Sequence, residues 1–371
     1  MDIILITAHQ REKWDAFVRQ EPTFSLLQSW AWGEFKEKLG WRAFRVGVEA
    51  HGQIIAGAQL LIKPFLMGLC SIAYIPRGPI GLWLDGEVTS VLLSELHRIA
   101  RRHRAVFLRM EPPLLTKRMV DEKLKQNYFT PSCHTNQPQA TIILDLTADL
   151  EDIFAQFRKS TRKDIAKSIR KGVTARVGGS DDLPAFFDLM QKTSHREKFP
   201  VRSKAYYELE WQTFADIGQT ALHLVSYKDQ TLAAGMVSCF GSHAAQFHAG
   251  SISKLTDLHP NHVLVWERIK WAKARGCFTY DLWGIPDEIG KMISEGGELP
   301  MADRTDGLWG VYRFKSGFSK NVVVYAGAYD CVYYPLPHAL MTNKWLDRDA
   351  IDQLAAWADS LKPLKYRRSS N

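Results

Sequence analysis

Residues 158–171 concentrate positive charge in one short segment. They contain a single acid, Asp164, and seven basic residues: Arg158, Lys159, Arg162, Lys163, Lys167, Arg170 and Lys171. Apolar residues recur at helical spacing through and just before this segment, at Ile153, Phe154, Phe157, Ile165 and Ile169. Gly172 is suited to end such a helix. A basic face on an amphipathic helix suits an RNA phosphate backbone or an anionic membrane surface, and the ordinary alternative is a solvated helix face. We predict anion binding and leave the anion open.

A second stretch has side chains that suit phosphate groups. Residues 194–207, SHREKFPVRSKAYY, include Arg196, Arg202 and Tyr206. An arginine guanidinium presents a planar fork of donors that grips a phosphate with two hydrogen bonds. Taken alone, the stretch is equally compatible with a charged surface loop.

Lys36 lies in the tryptophan-rich segment 28–41, QSWAWGEFKEKLGW. An apolar stripe at helical spacing is formed there by Trp30, Trp32, Phe35 and Leu39. A lysine ammonium is a point charge on a flexible stem, which suits contact with a phosphate. Taken alone, the Lys-Glu-Lys run predicts an exposed helix residue at this position.

Other kinds of catalytic or metal site fail on spacing. The five cysteines are scattered without a CxxC pair, so neither a disulfide framework nor a zinc cluster is predicted. Cys133 and His134 are adjacent but isolated. His97 and His103 are six residues apart and fall on different faces of a helix, so they do not form a metal-binding pair. We expect no metal site.

The length and composition of the chain indicate two folded domains. The chain has 371 residues and is 46% apolar, which is enough to fill two cores. Its net charge of +8 favours acidic partners such as phosphates, nucleic acid or anionic lipid headgroups, although an ordinary soluble surface has equal weight. No signal-peptide pattern opens the chain, and no run approaches the roughly 18–20 apolar residues of a membrane span. We expect a cytoplasmic protein, at most peripheral at the inner face of the plasma membrane.

Two parts of the chain repeat the same order of elements. Residues 44–57, FRVGVEAHGQIIAG, align without a gap against residues 222–235, LHLVSYKDQTLAAG, and each segment predicts a hairpin. The polar turns are His51-Gly52 and Asp229-Gln230. Residues 97–112 and 267–284 each predict an amphipathic helix that leads into a strand. The shared order indicates two copies of one α/β fold.

The loop around Pro131–Ala140 marks the junction between the two copies, because prolines and an asparagine interrupt structured stretches there. We therefore expect a first domain over residues 1–138 and a second over residues 139–371 that includes a C-terminal tail. A hairpin that ends in Ala-Gly and leads to a helix and a strand resembles the N-acetyltransferase (GNAT) fold. The predicted fold class is α/β (α+β), with two tandem GNAT-like domains.

Ordinary GNAT proteins hold the pyrophosphate of acetyl-CoA on a loop of the form Q/R-x-x-G-x-G/A that opens a helix. The nearest string in this chain is RGPIG, residues 77–81. It has the wrong spacing, and its proline removes one N–H donor. We therefore expect no CoA and no other cofactor.

Five segments together resemble the FemABX family of peptidoglycan-bridge aminoacyltransferases, which are built as tandem GNAT-like domains. They are QSWAWGEFKEKLGW (28–41), FRKSTRKDIAKSIRKGV (157–173), REKFPVRSKAYY (196–207), YDLWGI (280–285) and GVYRFKSGFSKNVVVYAGAYD (310–330). They follow the family's order over most of the chain. The resemblance implies transfer of an amino acid from aminoacyl-tRNA to the stem-peptide amine of a lipid-linked or UDP-linked peptidoglycan precursor. It implies no DNA partner.

The resemblance assigns the reacting centre to Phe314 and Lys315 in the string YRFKSGF. Aminolysis of an ester passes through a tetrahedral intermediate with a negative oxygen, and a fixed donor aimed at that oxygen stabilises it by roughly 3–4 kcal/mol. Lys315 is the residue implied for this role. Taken alone, it is one lysine among many in a predicted strand–turn region. The attacking amine must also lose a proton, and no dedicated base is apparent.

The resemblance also implies the residues that contact the precursor. Lys36 matches a lysine that contacts the precursor's phosphates, and Arg202 with Tyr206 matches an arginine followed four residues later by a tyrosine. Arg196 competes with Arg202 for this role. Phe247, in QFHAG, stands where a later aromatic lines the precursor site. Asp281, at the predicted end of a strand in YDLWG, is an additional candidate for ligand contact.

This chain departs from several family members because it has no room for their long helical arm. A polar, glycine-containing loop over Glu288–Gly307 is expected instead. Two other functions remain open. One is a FemAB-like N-acyltransferase that acts on another amine acceptor, for instance in exopolysaccharide assembly. The other is a non-catalytic protein that binds RNA or a membrane surface.

Overall fold

A computed structural model of the chain describes residues 1–23, 25–113, 117–132, 134–197, 200–300, 303–304 and 307–344. The chain forms two compact units. The first unit contains Met1–Phe17, Leu27–Gln137 and the chain from Ala326, and the second contains Val18–Leu26 and Pro138–Tyr325.

The elements alternate between strands and helices along the chain. From the amino terminus they are β1 (Asp2–Leu5), α1 (Arg11–Val18), α2 (Trp30–Lys38), β2 (Arg42–Ala50), β3 (Gln53–Phe65), β4 (Cys70–Ile75), β5 (Ile80–Gly81), α3 (Gly86–Arg102), β6 (Ala105–Met110), α4 (Lys117–Gln126) and β7 (Thr130–Pro131). The second unit continues with β8 (Ala140–Asp145), α5 (Leu150–Gln156), α6 (Lys159–Arg170), β9 (Val173–Gly178), α7 (Leu183–Glu197), α8 (Lys204–Phe214), β10 (Thr220–Tyr227), β11 (Gln230–Phe240), β12 (His243–Ser251), α9 (Pro260–Ala274), β13 (Thr279–Gly284), α10 (Asp287–Ser294), α11 (Gly307–Lys315) and β14 (Val322–Val324). The described chain ends with β15 (Tyr329–Val332) and α12 (Pro335–Lys344).

Each unit is built on one sheet. In the first, the strand order is β1-β2-β3-β4-β6-β15-β7, with β5 also paired to β3. In the second, the order is β14-β8-β13-β12-β11-β10-β9. In each unit, three consecutive strands pair in antiparallel order, and a helix then returns the chain to a strand that pairs in parallel. In the first unit β6 pairs with β4 in this way, and in the second β13 pairs with β12. The two units therefore repeat one topology, which confirms the prediction of tandem GNAT-like domains.

The predicted hairpins are β2–β3 and β10–β11. In the first hairpin Gly47 lies opposite Gly57, and in the second Leu224 lies opposite Ala234. The second turn falls one residue earlier than predicted, because Gln230 already pairs with Tyr227 as the first residue of β11.

The returning helices bury one face against each sheet. In α3 the residues Val88, Leu92, Leu96 and Ile99 are buried at intervals of three and four residues. This spacing places them on one side of the helix, so they form a continuous apolar stripe. Strand β6, which follows, is buried along its whole length, as expected for a strand beside a parallel neighbour.

The chain after Tyr325 returns to the first unit. Strand β15 pairs with β6 in antiparallel register, with Asp330 opposite Arg109. The Arg109 guanidinium donates to both carboxylate oxygens of Asp330 at 2.7 Å, and both side chains are buried. The expected second domain over 139–371 therefore differs from the compact units, because residues 326–344 supply a strand and a helix to the first. Residues beyond 344 lie outside the described chain.

Two local expectations differ from the structure. The apolar residues at helical spacing from Ile153 to Ile169 fall on two helices, α5 and α6, because Phe157 and Arg158 have extended ψ angles of 150° and 139°. The predicted loop over Glu288–Gly307 begins as a helix, since α10 covers Asp287–Ser294 with Ile289 buried beneath it. Gly172 ends α6 as predicted and has a φ of +90°, in the left-handed region that favours glycine.

The longest helix of the described chain is α3, with 17 residues, so no long coiled-coil arm is present within these residues. No helix in this part of the chain has the length and apolar character needed to cross a bilayer.

Candidate active site

Lys315 is the last residue of α11 and its side chain points into the second unit. Trp309 and Tyr312 are buried at a spacing of three residues, and Lys315 continues the same row, so the core-facing side of the helix carries the lysine inward. The residue is only 8% exposed. The prediction of a strand–turn setting is therefore wrong.

Two backbone carbonyls hold the Lys315 ammonium. Its Nζ donates to the carbonyl oxygen of Trp283 at 3.0 Å and to that of Gly284 at 2.7 Å. An ammonium carries three N–H groups. Within the described residues these two carbonyls are the acceptors, which accounts for two of the three N–H groups.

The two carbonyls converge because β13 loses regular pairing at its end. The register between β13 and β8 is irregular between Asp281 and Gly284. Trp283 has a φ of +66°, which a residue other than glycine seldom adopts. Irregularities of this kind re-aim backbone groups next to functional sites. Gly284 has no room for a side chain, since a Cβ there would lie 2.9 Å from the Pro138 ring.

Burial shifts the titration of Lys315 towards neutral pH. Removal from water lowers the pKa of its ammonium to about 7, the nearby Asp281 carboxylate partly opposes this, and the Arg268 guanidinium adds to it. Both the charged and the neutral amine are consequently populated near pH 7. Lysines with such a shift are typical of functional sites, although structural networks produce them too.

Asp281 lies inside β13 and is only 3% exposed, so the expectation that it ends a strand is wrong. Its Oδ1 accepts hydrogen bonds from the Thr141 hydroxyl and from the Trp283 N–H, the latter at 2.7 Å. Asp281 thereby fixes the irregular end of the strand and places a negative charge near Lys315.

Aromatic rings pack on both sides of this arrangement. Phe314 lies 4.9 Å from the His262 ring and 5.3 Å from the Phe318 ring, between ring centroids. Phe247, on β12, meets the Trp283 ring edge-on at 4.5 Å. Phe247 therefore contacts the residue whose carbonyl holds Lys315.

The basic helix α6 begins against the turn that follows Lys315. The Arg158 N–H donates to the Gly317 carbonyl at 2.8 Å, and its guanidinium donates to the Arg313 carbonyl at 3.0 Å. A Cβ on Gly317 would lie 2.4 Å from Thr161 Oγ1 and 2.9 Å from Arg158 Nη2. The glycine is thus required by the close approach of α6.

Most of the predicted basic residues face solvent. The exposed ones are Arg158, Lys159, Lys163, Lys167, Arg170 and Lys171. Arg162 is half-buried, and Lys171 pairs with Asp257 at 2.8 Å. Ile169, expected on the apolar face, is 51% exposed and does not join the core. The helix packs instead through Thr161, Ile165 and Ser168.

Arg196 and Arg202 have different surroundings. The Arg196 guanidinium donates to the Glu197 carboxylate at 2.7 Å and to the Ser251 carbonyl at 3.1 Å, which ties α7 to β12. The Arg202 guanidinium lies over the Tyr206 ring, 5.5 Å from its centroid. Tyr206 lies in the first turn of α8, and its N–H donates to the hydroxyl of the N-cap residue Ser203 at 3.2 Å. The structure thus brings Arg202 and Tyr206 together.

Lys36 lies in the first unit and is buried, so the alternative of an exposed helix residue is wrong. It is 7% exposed. Its ammonium lies 5.2 Å from the Trp32 ring, 5.6 Å from Phe35 and 5.9 Å from Trp41. Aromatic faces attract a cation held at such distances.

A pocket of about 840 Å³ opens in the second unit beside the turn after α11. Its lining includes Phe157, Arg158, Tyr312, Phe318 and Lys320. Lys315 is not part of this lining, because its side chain turns towards the carbonyls of β13. The pocket and the lysine therefore flank the same helix without coinciding.

Comparison with known proteins assigns the chain to a family. The FemAB family model matches residues 9–132, 127–226 and 216–343, which is most of the chain. The chain belongs to the FemAB family.

Curated relatives of this FemAB-family protein include two lipid II:glycine glycyltransferases. The one from Staphylococcus haemolyticus (strain JCSC1435) is 23% identical over 80% of this chain and 88% of its own length. The one from Staphylococcus aureus (strain MRSA252) is 26% identical over 57% of this chain and 52% of its own length. These relatives confirm the expectation of an enzyme of the acyltransferase class.

Solved structures share the fold of this FemAB-family protein. The crystal structure of FemX matches with a TM-score of 0.79 and 20% identity, over 92% of this chain and 100% of that one. A tandem GNAT protein from the clavulanic acid biosynthesis pathway matches with a TM-score of 0.53 and 8% identity, over 89% and 97%. The resemblance stated from the sequence motifs is therefore confirmed, as is the tandem GNAT-like fold.

Sequence reasoning did not identify the backbone contribution to the site. The carbonyls of Trp283 and Gly284 leave no side-chain signature, although the glycine after YDLW marks a position without room for a Cβ. Sequence reasoning also did not identify Arg268, a buried cation that lowers the pKa of Lys315. Nothing in the sequence of the predicted amphipathic helix indicates that this arginine is buried.

Proposed function

We propose that this protein transfers an aminoacyl group from aminoacyl-tRNA to the stem-peptide amine of a peptidoglycan precursor. The observation that carries the proposal is the buried Lys315, held by two carbonyls that account for two of its three N–H groups. The glycyltransferase relatives support an acceptor of this chemical class. The reaction would take place in the cytoplasm, with the enzyme peripheral at the inner face of the plasma membrane when the precursor is lipid-linked.

The chemistry is the aminolysis of an ester. The acceptor amine attacks the ester carbonyl, a C–N bond forms, and the carbonyl oxygen becomes an oxyanion in the tetrahedral intermediate. The C–O bond to the ribose then breaks, the ribose oxygen leaves as a hydroxyl, and the amine loses a proton. The remaining N–H of Lys315 stabilises the oxyanion, an effect of roughly 3–4 kcal/mol for a preorganised donor.

Helix α6 is the proposed anion-binding surface for the donor. Its exposed cations lie close to the turn after Lys315, because the Arg158 N–H at the start of the helix donates to the Gly317 carbonyl. A phosphate backbone bound along α6 is therefore near the reacting centre. Counterion release makes such binding fall steeply with salt.

Arg202 and Tyr206, in the second unit, are proposed to contact the precursor. Phe247, which packs on Trp283, is proposed to line the same precursor site. The stack of Arg202 on Tyr206 orders the guanidinium, which presents a pre-arranged fork to a phosphate. Arg196 is the competing candidate, and its guanidinium binds Glu197 and Ser251. Lys36 is proposed separately as a phosphate contact of the first unit.

The test uses purified protein with amino acids charged on total tRNA, and in parallel with labelled acetyl-CoA. Each reaction contains lipid-linked and UDP-linked peptidoglycan precursors in turn, and the product is identified by mass. The proposal expects an aminoacyl adduct that requires intact charged tRNA. Ribonuclease treatment of the donor before mixing is the matched control and should abolish the product.

Other outcomes identify the alternatives. Label that arrives from CoA alone would make the protein a general N-acyltransferase and overturn the donor assignment. Salt-sensitive RNA or vesicle binding without transfer from either donor would support a non-catalytic binding protein instead.

A further inference from the structure

The structure brings three metal-binding side chains together outside the proposed reaction site. Asp164 lies on α6, His259 immediately precedes α9, and His262 lies in the first turn of α9. Their ligand atoms all lie within 4.8 Å of one another. The three residues are half-buried. The sequence pattern does not predict this cluster, because Asp164 is far from the two histidines along the chain.

The distances suit tetrahedral coordination. Bonds of 2.0–2.1 Å to zinc place two ligand atoms roughly 3.3 Å apart in a tetrahedral site. The His259 Nε2 lies 3.4 Å from Asp164 Oδ1, and the His262 Nε2 lies 4.0 Å from Asp164 Oδ2. The first distance matches this spacing. The second is longer and involves the other carboxylate oxygen, so the side chains must shift to place all three ligand atoms around one ion.

Local structure holds the three residues in this arrangement. His259 has a φ of +43°, an uncommon conformation outside glycine, and its carbonyl accepts the His262 N–H at 3.0 Å. One helical turn beyond Asp164, the Ser168 hydroxyl donates to the Leu258 carbonyl at 2.6 Å. Helix α6 is therefore fixed to the start of α9 beside the cluster.

Two imidazoles and one carboxylate are typical of sites for zinc and other first-row transition metals, whereas magnesium and calcium prefer oxygen ligands. The Arg158 guanidinium adds positive charge near His262 and weakens cation binding.

We propose that Asp164, His259 and His262 form a zinc-type site that clamps the basic helix α6 to the start of α9. Three protein ligands leave a fourth position for water. His262 also packs on Phe314, the neighbour of Lys315, so the bound metal stiffens the support of the reaction site. The proposal does not depend on the donor or acceptor of the reaction.

The experiment is calorimetric titration of the metal-free full chain with ZnCl₂, with CoCl₂ as a spectroscopic probe. We expect one Zn²⁺ per chain and the visible absorption bands of tetrahedral Co²⁺. At free zinc about 100 times the dissociation constant, the ratio of folded to unfolded protein should rise about 100-fold. MgCl₂ should produce none of these effects.

Variants assign the signal to the cluster. Asp164→Asn, His259→Gln and His262→Gln should each weaken zinc binding at least tenfold, while His9→Gln, an exposed histidine of the first unit, should leave it unchanged. Circular dichroism checks that each variant is folded. One folded variant of the three is enough to test whether the cluster binds the zinc. Saturable zinc binding that survives these changes with unaltered affinity would overturn the proposal, as would the absence of saturable binding.

Discussion

The carbonyl oxygen of Gly284 lies 2.7 Å from the Nζ of Lys315, at the irregular end of β13. A buried ammonium needs hydrogen-bond acceptors, and among the described residues two backbone carbonyls provide them. The lysine is thereby fixed in place while its pKa stays near neutrality. That combination suits a group that donates a hydrogen bond to a developing negative charge.

Lys315→Met should lower the rate of transfer by about 10²–10³, the usual effect of removing one oxyanion donor. Methionine keeps most of the side-chain volume, so the fold and the dissociation constant of the precursor should change little. Single-turnover transfer and precursor binding are measured on the same preparation. Lys291→Met, at an exposed position on α10, is the matched control, and a normal rate in Lys315→Met would remove the proposed role.

The ratio of the transfer rates of the wild type and of Lys315→Met should depend on pH. Because burial lowers the pKa of Lys315 to about 7, the side chain is cationic below this pH and neutral above it. The ratio of wild-type to Lys315→Met rates should therefore be highest below pH 7 and should fall as pH rises through this value. Taking the ratio cancels the titration of the acceptor amine, which is common to both proteins.

Asp281→Asn should shift the pH at which this rate ratio falls to a lower value. The Asp281 carboxylate raises the pKa of Lys315, so removing its charge lowers that pKa further. An asparagine oxygen still accepts hydrogen bonds from Thr141 and Trp283, which preserves the geometry. The measurement is the pH profile of the same rate ratio. A loss of rate with an unmoved profile would indicate a purely structural role.

Gly317→Ala should destabilise the protein by about 1–3 kcal/mol, the usual effect of overpacking. The new methyl group would meet Thr161 and Arg158 at the start of α6. Urea unfolding measures the difference. Gly179→Ala is the control, because nothing lies within 4 Å of its Cβ position and its φ of −117° accepts alanine. Equal stabilities of the two variants would contradict the close packing of α6.

Neutralising α6 should reduce the salt dependence of RNA binding. Lys163→Gln and Lys167→Gln each remove an exposed charge, and each lost phosphate contact lowers the slope of log K against log salt by about 0.7 for single strands. Fluorescence anisotropy over a series of salt concentrations gives the slope. Lys192→Gln, on α7, removes a charge that is 56% exposed and should leave the slope unchanged.

Arg202→Ala and Arg196→Ala should have separate effects. Loss of a charged hydrogen-bond pair to phosphate weakens precursor binding by about tenfold or more, so Arg202→Ala should raise the KM for the precursor. Arg196→Ala should instead lower stability, since Arg196 ties α7 to the Ser251 carbonyl. The reverse assignment of KM and stability effects would exchange the roles of the two arginines.

The amino-acid pattern is sufficient to predict the repeated topology and the family. Alternating apolar residues around short polar turns specify the hairpins β2–β3 and β10–β11, and helical periodicity specifies α3 and α9. These patterns are local, because each residue's position within its own strand or helix decides which side it buries. The family resemblance of the motif around Phe314 and Lys315 also indicated the lysine that we propose as the oxyanion donor.

The environment of each candidate site residue depends on tertiary packing. The burial of Lys315 and Lys36, the carbonyls of Trp283 and Gly284, and the meeting of Asp164 with His262 all depend on contacts between distant segments. The pairing of Asp330 with Arg109 returns the chain to the first unit for the same reason. Such contacts arise from packing and strand pairing between elements, which no local periodicity encodes.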